Sequence, residues 1–178
     1  MKKALIDLSE VTEVSCDTDN IWTLFGPPGT LSKMPVTHRD QIHVLDQSST
    51  LNAYDAFNHT DLLSGDDGWG NQPFAGNPFK RVETFHMLKD SDKDLKKWLY
   101  QRGIPFSNEV LLLPVYKSED EPAILTTWKI VIKNAQELFE MDNLVIVSNH
   151  ADWCLYYHHD GLITVGQEPS GTIISEIR

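Results

Sequence analysis

Three short apolar segments crowd the C-terminal part of the chain: Asn143–Ser148 (NLVIVS), Trp153–His158 (WCLYYH) and Leu162–Gly166 (LITVG). Only NHAD and HDG separate them, breaks long enough for a turn and little else. Asp160-Gly161 is a hairpin signal, because a tight two- to three-residue connection needs a residue that tolerates positive φ. The pattern predicts a three-stranded antiparallel meander, and any fold for this chain has to be built around it.

Upstream, SDKDLKKWLYQRGIP offers Ser91 as an N-cap and Asp92 and Asp94 in a first turn. Leu95, Trp98 and Leu99 follow at helical spacing, and Gly103 and Pro105 supply the stop. EVLLLPVY (Glu109 to Tyr116) reads as a buried strand whose Pro114 implies an edge or a bulge. In TTWKIVIKNAQELFE, local propensity favours a strand at TTWKIVI. Trp128, Val131, Ile132, Ala135, Leu138 and Phe139 nevertheless recur as an amphipathic stripe, so a helix is expected from Thr127 to Glu140.

Before residue 80 the pattern loosens. IWTLF and QIHVL look like short strands, and ALIDL is a third candidate. Residues 51–79 are crowded with Gly, Asn, Asp and Pro, which is loop chemistry, with room for a short helix between Leu51 and Leu63. Gly26-Pro27-Pro28-Gly29-Thr30 opens like a phosphate-binding loop, but no second glycine follows at position 31 and no Lys-Ser/Thr pair completes it. It is expected to be a turn between two strands. The expectation for residues 1–178 is one α+β domain, a mostly antiparallel sheet with helices packed on one face, best defined over residues 91–167.

Composition narrows the class of function. A hydrophobic fraction of 40%, with five Trp, five Tyr and seven Phe, is ample for a core without disulfides. Fifteen basic and 26 acidic residues give a formal charge of −11, which disfavours nucleic acid and anionic membrane and suits a basic protein partner. Cys16 and Cys154 show no framework spacing and read as reduced thiols. MKKALIDLSEV lacks an uninterrupted apolar core, so no signal peptide is expected, and a soluble cytoplasmic protein is.

His150, Asp152, His158 and His159 cluster around the second meander strand and are candidates for a catalytic or metal site. Cys154 and His158 lie about 13 Å apart along a strand, too far to share one zinc, so further ligands would have to come from His38, His43, His59 or His86. The plainer reading of His158, His159 and Asp160 is a solvated hairpin end. Cys154, within an apolar strand, is expected to be buried and inert. Trp69 in GDDGWGNQPF, with Asp66 and Asp67, is a candidate partner-binding loop, or a Trp that pins a loop to the core. Asp90/Asp92/Asp94 and Glu119-Asp120-Glu121 are read mainly as solvated faces. No cofactor is implied, and DDG lacks the ligands of a calcium loop.

From Ser91 to Gln167 the order of helix, apolar strand, TTWKIVIKN helix, NLVIVS strand and DWCLYYHHDGLITVGQ hairpin resembles small bacterial toxin-immunity proteins and related uncharacterised bacterial families. The resemblance covers under half the chain and carries over no catalytic residue. It implies a non-enzymatic acidic protein that neutralises a basic toxin domain. The alternatives are a small hydrolase-like or metal-binding enzyme using the His150–His159 region, and an accessory protein of another process.

Overall fold

The computed structural model describes residues 3–14, 23–63, 73–74, 76–87, 92–115, 121–140 and 142–170. Its centre is a seven-stranded sheet: β1 (His43–Val44), β2 (Phe79–His86), β3 (Glu109–Pro114), β4 (Ile124–Thr127), β5 (Leu144–Ser148), β6 (Trp153–His158) and β7 (Leu162–Pro169). The spatial order is β1-β4-β3-β5-β6-β7-β2, and every neighbouring pair is antiparallel. The expected meander is β5-β6-β7. Its second turn, residues 159–161, closes with the Gly161 amide donating to the His158 carbonyl at 2.9 Å, and Gly161 takes φ +90°. Pro114 pairs with Leu144 at a level that β4 does not reach, since β4 pairs with β3 only as far as Leu112. Its missing N–H therefore takes no bond from the β3–β4 ladder.

The helices are α1 (Val36–Arg39), α2 (Gln47–Asn58), α3 (Asp92–Tyr100), α4 (Trp128–Lys133) and α5 (Ala135–Leu138). α3 runs as expected and ends at Tyr100, and Gly103 just beyond it adopts φ +68°, as a glycine after a helix readily does. Its proposed cap, Ser91, lies outside the described residues. The helical stripe after Thr127 forms, and all six of its apolar residues are at most 3% exposed. The helix is broken at Asn134, whose side-chain amide donates to the Ile130 carbonyl at 2.8 Å and draws that turn out of regular geometry.

Side chains alternate across the sheet, and both faces of the central strands β3, β5 and β6 are buried, whereas the outer strand β2 is largely exposed. Val110, Leu112, Leu144, Ile146, Trp153, Leu155 and Tyr157 join a core with Leu95 and Leu99 of α3, Trp128, Val131 and Ile132 of α4 and Leu138 of α5. Leu111, Leu113, Val145, Val147, Cys154 and Tyr156 meet Ala53 and Phe57 of α2 on the other side. The α3–α5 helices thus occupy one face as anticipated, while α2 covers the second.

Several local expectations are corrected. The short helix for which Leu51 to Leu63 left room is present as the end of α2, but it starts earlier, at Gln47, capped by the Asp46 carboxylate accepting from the Ser49 amide at 2.8 Å. ALIDL forms no strand; the Asn149 side chain instead brackets Ile6, accepting from its amide and donating to its carbonyl, each at 2.9 Å. That amide supplies the two bonds a strand neighbour would otherwise have provided. Of IWTLF, Ile21 and Trp22 lie outside the described residues; Thr23 bridges Gly26, and Leu24 and Phe25 enter the core. The GPPGT turn therefore leads into a 3₁₀ turn at Leu31–Lys33, not into a strand. QIHVL contributes only the two residues of β1.

Candidate functional site

The structure divides the sequence's four-residue constellation. His150 and Asp152 lie in the turn before β6, whereas His158 ends that strand and His159 opens the turn after it. The six residue-to-residue steps of extended chain from Asp152 to His158 span about 20 Å. The four side chains therefore belong to opposite ends of the sheet and form no single site.

The end carrying His158 and His159 is the more elaborate. The Asn143 side chain, just before β5, is buried: its Oδ1 accepts from the His159 backbone amide at 2.6 Å and lies 2.9 Å from His159 Nδ1. Its Nδ2 donates to the Tyr156 hydroxyl at 3.1 Å, and the backbone carbonyl of Asn143 accepts from the Val115 amide. His158 Nδ1 lies 2.7 Å from Asp160 Oδ1, and the two histidine rings have centroids 4.3 Å apart. The His158 hydrogen bond is the main reason that the Asp160 carboxyl sits below its ordinary range.

Acids gather around the same end. The Tyr157 phenol is pushed up first by burial and then by Asp160, Glu140 and Asp142. Glu121 is raised by burial and by Asp142, and Tyr54, whose hydroxyl donates to the Pro114 carbonyl, is raised by burial and by Glu121. Among the described residues no three His, Cys, Asp or Glu side chains converge as a metal-binding group. The other histidines that the sequence offered are engaged elsewhere: His38 with Lys133, His43 with Glu13 and His59 with Asp55. His86 and His158 both pair with Leu162, from opposite sides, which sets their backbones about 10 Å apart.

At the far end the polar groups hold structure. Asn149 Nδ2 also reaches Glu109 Oε2 at 3.2 Å, the His150 amide donates to Ser148 Oγ at 3.3 Å, and Trp153 Nε1 donates to Asn108 Oδ1 at 3.3 Å. Asp152 Oδ1 is buried with no hydrogen-bond partner among the described residues. Cys154 is fully buried and its thiol is pushed up by that burial, which fits an inert cysteine. In the GPPGT loop the Thr30 hydroxyl and amide both turn back on the Pro27 carbonyl, at 2.8 and 3.1 Å, so neither is directed outward for a phosphate.

Trp69, Asp66 and Asp67 lie outside the described residues. Sequence reading passed over Asn143, Tyr156, Glu83 and Arg102. Asn143 and Tyr156 could not be paired by spacing, because only the β5–β6 register brings them together. Arg102 follows α3 and pairs with Glu83 of β2 while its guanidinium lies 4.3 Å over the Trp98 ring, and the pairing depends on β2, a strand that the sequence did not signal. Among the described residues no helix is long and apolar enough to cross a membrane. Compared with protein-family models, with curated proteins and with solved structures, the chain finds no match.

Proposed function

We propose that this chain is a non-enzymatic acidic binding protein, most concretely an immunity-type protein that covers and neutralises a basic toxin domain. The observation that carries this reading is its formal charge of −11. The carboxylates around Tyr157 support it, because Glu140, Asp142 and Asp160 raise that phenol together and Asp142 raises Glu121. Like charges held this close are relieved by a cationic surface, which speeds encounter and selects the partner, while buried aromatic anchors supply most of the affinity. Asp66, Asp67 and Trp69 remain the sequence's candidates for the contact, and the acidic sheet end adds Glu121, Glu140, Asp142 and Asp160. The enzyme reading keeps only the His158–Asp160 pair, an oriented imidazole with no nucleophile assigned to it.

The test is affinity purification from cells that express the protein, followed by association kinetics with the purified partner at low and high salt. The expected result is a basic partner whose association slows at least tenfold at high salt. It should slow likewise with Asp66→Asn/Asp67→Asn or with Glu140→Gln/Asp142→Asn/Asp160→Asn. Association that ignores both salt and both sets of substitutions, or the absence of any basic partner, overturns the reading.

A further inference from the structure

We propose that His158 and His159 form a two-nitrogen site for a divalent metal of the zinc, nickel and copper class, each ligating through Nε2. The argument starts from Asn143. The His159 backbone N–H can only donate, so the Asn143 atom 2.6 Å from it is the amide oxygen, and Nδ2 is accordingly free to donate to the Tyr156 hydroxyl. The same oxygen lies 2.9 Å from His159 Nδ1 and has no proton to give, so Nδ1 carries the hydrogen and the neutral ring presents its lone pair at Nε2. His158 Nδ1 has two neighbours on Asp160, the carboxylate at 2.7 Å and the backbone N–H at 3.4 Å, and the closer, charged oxygen sets the ring the same way, with the hydrogen on Nδ1. Both rings therefore hold the tautomer that binds metal through Nε2, each oriented by an oxygen on its other nitrogen, as metal-ligating histidines are.

The two rings lie side by side, with centroids 4.3 Å apart and planes inclined by 33°. Two nitrogens bound to one ion at about 2.0–2.1 Å sit about 3–3.5 Å from each other, so binding requires the Nε2 edges of the two rings to turn toward one another. The carboxylates of Glu140, Asp142 and Asp160 at this end of the sheet favour a cation there. His86, about 10 Å from His158 across Leu162, leaves the pair as the two protein ligands and the remaining positions to water. An all-imidazole pair selects zinc, nickel and copper over magnesium or calcium, which want oxygen. This inference stands independently of the toxin-neutralising reading.

The experiment uses the full chain without an affinity tag, stripped of metal. Long-range proton–nitrogen NMR of the apoprotein should show Nε2 unprotonated in both His158 and His159; the opposite tautomer in either ring overturns the proposal. Titration with Zn²⁺ and Cu²⁺ should show one saturable site per chain, with two imidazole nitrogens in the copper spin-resonance spectrum. His158→Ala and His159→Ala should each weaken binding at least tenfold, and His150→Ala at the opposite end should leave it unchanged. Asp160→Ala should weaken it severalfold, because it removes the acceptor that orients His158. Loss of Asp160 without effect would mean surface imidazoles binding without orientation, and that result, or binding that survives both histidine substitutions, overturns the site.

Discussion

Gly166 of β7 pairs with Cys154 on one side and Val82 on the other, and the Phe79 ring lies directly over it. A methyl group at this position would stand 2.1 Å from Phe79 Cδ2, far inside contact distance. The ring is not free to yield, because its own edge contact with Phe74, at a centroid distance of 5.0 Å, holds it in the core around α2. The glycine is required here by space and not by its backbone angle. Gly166→Ala is expected to cost about 1–3 kcal/mol, as overpacking does, and to lower the thermal midpoint by roughly 2–4 °C for each kcal/mol. Combining it with Phe79→Leu should cost less than the two changes summed, since the smaller side chain vacates the space that the methyl group needs. Thermal denaturation of the four proteins checks this; strict additivity would show that the ring is not the obstacle.

A few polar contacts reinforce the apolar join between α3 and the sheet. Arg102 Nε donates to the Trp98 carbonyl at 3.2 Å and its guanidinium pairs with Glu83, which Arg81 also meets; the Arg102 carbonyl accepts from Gln167 Nε2 at 3.0 Å. The Arg102 hydrogen bond is the largest cause that lowers the Glu83 carboxyl below its ordinary value of 4.5. A carboxylate depressed in the folded state stabilises the fold above its unfolded pKa, and that contribution is lost as pH falls through the folded pKa. Glu83→Gln should therefore flatten the loss of stability below about pH 4.5, measured as urea midpoints at pH 5 and pH 3; equal slopes would remove the pair from the acid response. β2 itself escaped the sequence because FKRVETFH, an outer strand of the sheet, mixes charges with apolar residues and lacks a flanking hairpin signal. β3, β5 and β6 were legible as strands, yet their unbroken runs, VLLL, LVIV and WCLYY, also signalled burial on both faces, which is where α2 goes. The Asp160-Gly161 turn was legible too. What spacing could not show is that Asn143, 16 residues before His159, reaches that turn, because this follows from the β5–β6–β7 register.

For the molecule as a whole, 26 acids against 15 bases mean that folding draws like charges together, and at Glu121 burial and a neighbouring acid both oppose the charged form. Its carboxyl is raised above the ordinary 4.5, first by burial and then by Asp142, so the charged form is disfavoured in the fold relative to the unfolded chain. Between the unfolded and folded pKa values the native state binds the more protons, and stability falls as pH rises through that window. The penalty is fully present above the folded pKa and vanishes below about pH 4.5, where the unfolded chain is protonated as well. Glu121→Gln should consequently raise the thermal midpoint at pH 7 and lose that gain by pH 4. Added salt should shrink the gain in part, because it screens the repulsion from Asp142 but leaves the burial cost in place. A neutral or destabilising effect at pH 7, or a gain of equal size at pH 4, would show that Glu121 is tolerated as an anion and that the acidic end of the sheet carries no electrostatic strain for a basic partner to relieve.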